Sequence, residues 1–230
     1  MRRVVALTGA GMSAESGLKT FRDSGGLWEG YRVEQVATPE AWRRDPELVL
    51  DFYNQRRRDL LRAEPNAGHH ALKELETGYE VEIITQNVDD LHERAGSSRI
   101  IHLHGELKKS RSTRDPALIY DIEGSELCLG QLCEKGSQLR PHIVWFGEMV
   151  PEMDRAIEIV RRADIVIVVG TSMMVYPAAG LIWEAPRHAA RYVVDPKKPE
   201  IAGGLQISYV ENTAAKGLPA LVSSLLSADR

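Results

Sequence analysis

The sequence predicts an α/β fold, in which a doubly wound parallel sheet forms a core that carries a smaller inserted module. Short apolar runs of strand length alternate with helical patterns, and two irregular stretches interrupt the alternation. Hydrophobic residues make up 43% and charged residues 27% of the 230-residue chain. That composition is ordinary for a globular protein and excludes a disordered chain, a collagen-like fibre and a coiled coil.

The strands are predicted from five apolar runs, at residues 4–7, 81–85, 100–103, 164–169 and 191–194. The fourth run is apolar on both faces, as expected of a parallel strand that helices cover on both sides. Helical patterns occupy residues 39–62, 66–76, 151–162 and 218–226, and Asn66 is the predicted N-cap of the second. The alternation of strands and helices predicts right-handed crossovers and therefore a doubly wound sheet.

Two stretches, residues 18–36 and 106–141, have no clean periodicity and contain many turn-forming residues. We predict one domain over residues 1–230, with a Rossmann-like core formed by residues of about 1–35, 78–105 and 142–230. The insertions at residues of about 36–77 and 106–141 are predicted to form the small module.

Charge and composition also narrow the function. The chain has 29 Lys and Arg residues against 33 Asp and Glu residues, so its net charge is −4. Bulk charge of this sign does not bind a phosphate backbone, and no apolar run approaches the roughly 20 residues that span a bilayer. Two cysteines, Cys128 and Cys133, are too few for a disulfide framework. We therefore expect a cytoplasmic protein with neither a nucleic-acid nor a membrane partner.

A glycine-rich loop follows the first predicted strand. Gly9, Ala10 and Gly11 begin a G-x-G-x-x-A pattern that ends at Ala14 and leads into a segment able to form a helix. Glycines at these positions allow a tight turn and let backbone N–H groups approach a pyrophosphate. The acidic residue that a dehydrogenase places about 20 positions later is absent, which disfavours that class. A plain glycine turn at a strand–helix corner is the alternative.

Polar groups follow three further strands. Gly170, Thr171 and Ser172 come after one, Gln86, Asn87 and Asp89 after another, and His104 after a third. The carboxyl ends of parallel strands meet at one edge of a sheet, where ligands bind. His104 could act as a general base near neutral pH, and His102 alternates with it on the same face. The structural alternatives are a local Ser/Thr turn, an Asp89 helix cap and a core histidine.

Five segments together resemble the sirtuins, which are NAD-dependent protein deacylases. They are residues 9–28, 85–96, 102–107, 140–148 and 170–179, in the order of the family. The resemblance is closest to bacterial sirtuins of the desuccinylase-like branch, which accept acidic acyl groups. It implies one sirtuin-type catalytic domain that takes acylated lysines of protein substrates, transfers the acyl group to ADP-ribose and releases nicotinamide. Acetyl-lysine and succinyl-lysine are both implied as substrates.

The resemblance also implies residue roles. His104 would be the general base, with Asn87 and Asp89 completing the catalytic group. Val144, Phe146 and Gly147 would pair with the substrate peptide, and Tyr53 and Arg56 would bind the acyl carboxylate. The implied NAD-binding residues are Gly9, Ala10, Gly11, Ser13, Glu15, Phe21, Arg22, Trp28, Gln86, Asn87, Val88, Asp89, Gly170, Thr171, Ser172, Asp195, Pro196, Lys197 and Ala214.

The sequence departs from the family at its metal site. Most sirtuins bind a structural zinc through two C-x-x-C pairs, but residues 111–115 contain no cysteine and Cys128 and Cys133 are spaced C-x4-C. Two thiols do not complete a tetrahedral site, so no zinc is expected, although Asp115 or His142 is a conceivable additional ligand. Without zinc, packing must stabilise the module, through Leu118, Ile119, Tyr120, Leu127 and Leu132.

Two other functions use the same NAD residues. In mono-ADP-ribosyl transfer, an acceptor other than acyl-lysine would take the ribosyl group. A non-catalytic NAD-binding module would have lost activity together with zinc, but the presence of His104, Asn87 and Asp89 argues against it.

Overall fold

The computed structural model describes residues 1–19, 27–28, 30–199, 204 and 206–228. Its strands are β1 (Arg3–Thr8), β2 (Leu27–Trp28), β3 (Tyr31–Arg32), β4 (Glu80–Thr85), β5 (Ile100–His102), β6 (Gly105–Ser112), β7 (Ile119–Asp121), β8 (Leu139–Ile143), β9 (Ile165–Val169), β10 (Ala190–Val194) and β11 (Ser208–Val210). Its α-helices are α1 (Val33–Val36), α2 (Pro39–Arg44), α3 (Pro46–Arg62), α4 (Ala67–Leu75), α5 (Leu91–Arg94), α6 (Met153–Val160), α7 (Leu181–Glu184) and α8 (Ala214–Ala228).

A parallel sheet of six strands forms the centre of the fold, in the order β11-β10-β9-β1-β4-β5. The chain moves from β1 outward to β4 and β5, then returns to the other side of β1 for β9, β10 and β11. This reversal creates a topological switch point between β1 and β9, where open sheets bind ligands. The predicted fold class is confirmed, and the five predicted strands begin and end within one residue of their positions.

Alternate residues of β1 enter two separate hydrophobic cores. Val4 and Ala6 pack with α4 and α8 on one face of the sheet, whereas Val5 and Leu7 pack with α6 and α7 on the other. All four side chains are at most 4% exposed. Helices therefore cover the sheet on both faces, as the apolar strands required.

The helix predicted over residues 39–62 is two helices. Asp45 ends α2 and begins α3, because its carboxylate accepts a hydrogen bond from Leu48 N at 3.0 Å. Pro46 then occupies the first position of α3, where a missing N–H costs nothing. Another difference is that α8 begins at Ala214, four residues before its predicted start. After the glycine-rich loop, the segment expected to be helix-forming contains only two 3-10 helices, Ala10–Met12 and Ala14–Ser16.

The stretch 106–141, expected to be irregular, contributes most of an antiparallel sheet in the order β7-β6-β8. A register shift between Gly105 and Ser110 moves the buried positions of β6 from Gly105 and Leu107 to Ser110 and Ser112. The shift interrupts the alternation of period two, and half of the buried side chains are serines. For both reasons a hydrophobic pattern does not reveal this strand.

Three side chains at the base of this sheet bond to one another. Ser112 Oγ lies 2.8 Å from Ser137 Oγ and 3.5 Å from Cys133 Sγ, and Cys133 Sγ lies 3.1 Å from Ser137 Oγ. Packing contributes less here than we expected. Leu127 is buried, but Ile119 is 44% and Leu132 is 55% exposed.

Arg57 joins α3 to the small sheet and is fully buried. Its guanidinium donates to Leu107 O at 2.8 Å, to Ser125 O at 2.7 Å and to Asn54 Oδ1 at 2.8 Å. The helices α2 and α3 share a third hydrophobic core with Leu107 of β6, whereas α4 packs in the core of the large sheet. The division of the chain into core and module stays a prediction, and this packing favours a module boundary near residue 63 rather than 77.

Among the helices that the structure describes, none combines the length and apolar character needed to cross a bilayer.

The backbones at the ends of β1 and β9 touch at the switch point. Gly9 N donates to Val169 O at 3.0 Å, and Gly11 N donates to Gly170 O at 2.8 Å. A Cβ on Gly11 would lie 2.7 Å from Gly170 Cα, closer than real Cβ contacts allow. Gly170 itself has φ of 59°, a conformation that glycine adopts without strain.

We therefore expect Gly11→Ala to destabilise the protein. Overpacking of this kind costs about 1–3 kcal/mol, because backbone rather than a flexible side chain must move. Thermal and denaturant unfolding measure the loss. Gly180→Ala is the matched control, since a Cβ there meets no atom within 4 Å. Equal unfolding midpoints for the two variants would contradict the prediction.

Candidate active site

The loops after β1, β4 and β9 meet at the switch point. Ala10 is exposed there, Thr171 is buried and Ser172 is half-buried. The Thr171 hydroxyl accepts hydrogen bonds from Gln86 Nε2 at 3.3 Å and from its own loop at Met173 N, at 3.2 Å. Small side chains and backbone amides at this edge suit the phosphates of a dinucleotide.

Three buried polar side chains beside these loops form one network. The Ser13 hydroxyl donates to Asp89 Oδ2 at 2.9 Å and accepts from Asn87 Nδ2 at 3.1 Å. Asp89 Oδ1 also accepts from Leu91 N, at 3.2 Å, just before α5, although the N-cap position of that helix is Asp90; the site role of Asp89 stays a prediction. Burial raises the pKa of Asp89, although the Ser13 and Leu91 hydrogen bonds oppose the shift.

The loop after β4 is fixed through its carbonyl groups. Gln86 O is 3.1 Å from His104 Nδ1, and Asn87 O is 3.1 Å from His102 Nδ1. Val88 O accepts a hydrogen bond from Leu107 N at 2.8 Å. Three consecutive carbonyls of this loop, which we call the catalytic loop (residues 86–89), are thus held by the segment 102–107.

His104 has the geometry of a general base. Because Gln86 O is an acceptor, Nδ1 carries the proton and Nε2 is left with its lone pair. Burial lowers the pKa of His104 below the ordinary value of 6.5, although the Gln86 hydrogen bond opposes the shift. The imidazole is therefore neutral at physiological pH and able to accept a proton at Nε2.

Tyr53 and Arg56 lie close together on α3. Tyr53 is fully buried, and its hydroxyl accepts a hydrogen bond from Trp145 Nε1 at 3.1 Å. Burial raises the pKa of Tyr53, and the nearby Arg56 charge is the largest opposing influence. The Tyr53 hydroxyl thus stays protonated and keeps its own hydrogen for another acceptor.

The segment predicted to pair with a peptide is not a strand in the structure, because β8 ends at Ile143. Val144 N donates to His104 O at 2.9 Å and Phe146 N to Ala37 O at 3.0 Å. Val144 is half-buried, whereas Phe146 is exposed and Gly147 has a positive φ of 89°. These two N–H groups are already engaged, so peptide pairing here would use other backbone groups of the segment.

Several other predicted cofactor residues have structural partners. Glu15 accepts a hydrogen bond from Ala215 N at 2.8 Å and so ties the first loop to the start of α8, where Ala214 is buried. Asp195 is buried at the end of β10 and accepts from Lys197 N at 2.9 Å, while Pro196 is exposed. Val88 packs against the third core.

The remaining predicted cofactor residues are only partly covered. Phe21 and Arg22 lie outside the described residues. Trp28 is described only as backbone, in β2.

Sequence reasoning missed Glu148 and its partners. Its carboxylate binds Arg140 through two hydrogen bonds of 2.7 and 3.0 Å and Arg111 through one of 3.2 Å. It also accepts from Trp145 N at 2.8 Å, and the Arg140 guanidinium lies 3.3 Å from the Trp145 ring centroid. Segment 140–148 contains three of these residues, but its pattern does not indicate their bonds to one another, and Arg111 lies 37 positions from Glu148.

Glu93 was also missed. Among the described residues, Glu93, His102 and Glu106 are the group whose metal-ligating atoms come within 4.8 Å of one another. A hydrogen bond of 2.7 Å already joins His102 Nε2 and Glu93 Oε1, and it accounts for their closeness.

Known proteins resemble this chain over almost its whole length. A protein of Bacteroides thetaiotaomicron named NAD-dependent protein deacylase is 53% identical, covering 99% of this chain and all of the relative. A Helicobacter pylori protein of the same name is 52% identical, covering 98% of each. A solved Sir2 homolog–NAD complex superposes with a TM-score of 0.89 at 43% identity, covering 99% of this chain and 91% of the other. A Sir2 homologue mutant with ADP-ribose reaches 0.90 at 43% identity, covering 98% and 92%.

The model of the Sir2 family matches residues 9–177, which include the first glycine-rich loop, the catalytic loop and His104. The chain belongs to the Sir2 family.

Proposed function

We propose that this chain is an NAD-dependent protein-lysine deacylase that transfers an acyl group from lysine to ADP-ribose and releases nicotinamide. One observation carries the proposal: a neutral histidine with a free Nε2 lies beside a buried Ser13–Asn87–Asp89 network, at the switch point of the sheet. The names of relatives about 50% identical support the same activity.

NAD supplies an electrophilic ribose carbon and a leaving group, so the protein needs no nucleophile of its own. Gly9 and Gly11 let the backbone come close to the phosphates, and the N–H group of Ala10 between them binds there, since those of Gly9 and Gly11 already donate to Val169 O and Gly170 O. Asn87 and Asp89, fixed by Ser13, hold the nicotinamide and its ribose. His104 Nε2 accepts a proton from a ribose hydroxyl, and the Gln86 carbonyl stabilises the positive charge that the imidazole then carries.

Mono-ADP-ribosyl transfer and NAD binding without catalysis are separated from deacylation by one assay. The protein is incubated with NAD and an acetyl-lysine peptide, and the products are analysed by mass spectrometry. Deacylation yields nicotinamide and O-acyl-ADP-ribose together. Nicotinamide with an ADP-ribosylated acceptor indicates mono-ADP-ribosyl transfer, and bound NAD without nicotinamide indicates a non-catalytic module.

Replacement of the base tests the catalytic assignment. His104→Asn should lower kcat by about 10² to 10⁴, the usual contribution of general-base catalysis. ADP-ribose binding should persist, because the loop glycines provide it. His188→Asn, an exposed histidine, is the control. A loss of less than about threefold would place the base elsewhere.

The pH dependence tests the same assignment in the wild-type protein. Because the pKa of His104 is lowered, the base stays neutral until the pH falls below 6.5. Activity should therefore be retained on acidification to pH 6.5 and decline only below it. An acid limb centred above 6.5 would contradict the assignment.

We further propose that Tyr53 and Arg56 bind the distal carboxylate of succinyl-lysine. The Tyr53 hydroxyl retains a hydrogen to donate, and the Arg56 charge lies close enough to affect its pKa. A phenol and a guanidinium side by side form a donor set for one carboxylate. Acetyl-lysine has no such group and is accepted without it.

Arg56→Met should lower kcat/KM for a succinyl peptide by about 10- to 100-fold, since a charge-assisted hydrogen bond contributes about 1.5–3 kcal/mol. The value for the matched acetyl peptide should change far less. Arg58→Met is the control on the same helix, because Arg58 binds Glu126 in the small module. Tyr53→Phe is less clean, because it leaves Trp145 Nε1 without its partner. Equal losses on both peptides would mean that Arg56 supports the helix and not specificity.

We propose that the small module folds without zinc. Where the family has its two cysteine pairs, this chain has the Cys133 thiol and the hydroxyls of Ser112 and Ser137. These three groups already bond to one another. Ser112 Oγ also accepts from Arg114 N and Asp115 N, at 3.2 and 3.1 Å, which closes the turn that a first cysteine pair would close. The potential ligand Asp115 is engaged by Lys135 Nζ at 2.7 Å. Free thiols at Cys128 and Cys133 also fit a reducing, cytoplasmic setting.

Metal analysis of the purified protein should therefore find well under one zinc per chain, and treatment with a chelator should leave the thermal unfolding midpoint unchanged. Ser137→Ala should lower that midpoint, because it removes one of the two hydroxyls of the bonded group and its bonds to Ser112 and Cys133. Stoichiometric zinc that is released only on unfolding would refute the proposal.

A further inference from the structure

His102 faces two hydrogen-bond acceptors. Its side chain is 10% exposed at the end of β5. Nδ1 is 3.1 Å from the carbonyl oxygen of Asn87, and Nε2 is 2.7 Å from Glu93 Oε1. A carbonyl and a carboxylate can only accept, so a neutral imidazole satisfies one of them and turns a lone pair toward the other. The imidazolium form satisfies both.

His104, two residues later, has the opposite surroundings. Its Nδ1 meets one carbonyl, that of Gln86, and burial disfavours its charge. The two histidines hold successive carbonyls of the catalytic loop, but only His102 has a carboxylate on its second nitrogen. The contacts therefore favour the cationic form of His102 and the neutral form of His104.

The charges around His102 favour its cationic form. Glu93 on α5, Glu106 on β6 and Asp89 in the catalytic loop face it, and the neighbouring His92 is kept neutral by burial. Burial opposes the charge on His102 itself. The hydrogen bond and charge of Glu93 outweigh that cost, so the pKa of His102 is raised above 6.5.

We propose that His102 is a positioning residue that acts as an imidazolium, linking Glu93 to the Asn87 carbonyl and so holding the Asn87 side chain in place for nicotinamide. The proposal rests on the proposed deacylase function, in which Asn87 contacts that group. Asn87 also bonds to Ser13 through Nδ2 and donates its backbone N–H to Thr85 Oγ1 at 3.0 Å, whereas its carbonyl is held by His102. Loss of the carbonyl anchor should misplace the amide without unfolding the loop, because the other two bonds remain.

The sign of the pH dependence follows from the raised pKa. The cationic form, and the hold on Asn87, are present below the pKa of His102 and are lost as pH rises through it. Wild-type kcat should therefore have an alkaline limb, separate from the acid limb of His104. Glu93→Gln removes the charge that favours the imidazolium, so it should lower the alkaline limb by about one pH unit and leave the acid limb in place.

His102→Gln should lower kcat at pH 7.5 by about 10- to 100-fold, since small misplacement of a reacting group has effects of this size. It should also abolish the alkaline limb. Binding of ADP-ribose, which lacks nicotinamide, should stay within about twofold of wild type. His70→Gln, an exposed histidine of α4, is the matched control. If His102 only supported folding, the His102→Gln variant would instead lose ADP-ribose binding and kcat together at every pH.

Side-chain ¹⁵N–¹H spectra at pH 7 test the protonation directly. Two protonated nitrogens are expected for His102 and one for His104, with assignments from the single variants. The proposal would be overturned if His102 were neutral at pH 7. It would also be overturned if the alkaline limbs of Glu93→Gln and His102→Gln coincided with that of the wild type. These spectra do not depend on turnover, so they test His102 even if the wild type releases no nicotinamide, the outcome that refutes the deacylase function instead.

Discussion

The close backbone contact between Gly9, Gly11 and Gly170 is the constraint on which the rest of the site depends. It brings the ends of β1 and β9 together without any side chain between them, and the sheet order makes that point the switch. Ser13, two residues beyond Gly11, then bonds to both Asn87 and Asp89. These bonds fix the position of the catalytic loop relative to the first glycine-rich loop. A dinucleotide site built from backbone amides needs no surplus of basic residues, which agrees with a net charge of −4.

The pKa of each histidine in the site depends on how many hydrogen-bond acceptors surround its ring. Two histidines two residues apart, with similar burial, have pKa values shifted in opposite directions because one faces a carboxylate and the other faces only a carbonyl. Asp89 is treated differently again, since burial raises its pKa while two donors favour its carboxylate form. The polar residues of this edge therefore differ in how many hydrogen-bond partners they have. Among those described, the group that must take up a proton, His104, is the one left without a second partner.

The large sheet, and the meeting of polar residues at one of its edges, could be predicted from the sequence because both depend on local pattern. Apolar runs such as residues 164–169 identify the strands, and polar residues directly after a strand must lie at one edge of the sheet. The antiparallel small sheet was not predicted, because a register shift and buried serines remove its alternation. The partners Glu93 and Glu148 were not predicted either. Their contacts with His102, Arg140 and Arg111 join residues 8 to 37 positions apart, and no spacing rule describes such pairs.

The small module shows how specificity can depend on residues that touch no substrate. Arg57 has three neutral acceptors and no carboxylate, and burial lowers its pKa to about 10, so it still carries its charge at neutral pH. Its partners outside α3 belong to β6 and to the loop before Leu127. Asn54 binds the backbone of Leu127 through both its side-chain groups. Tyr53 and Arg56 lie on the same turn of α3 as this anchor. The bonds of Arg57 and Asn54 therefore fix α3, and with it the proposed acyl pocket, against the small sheet.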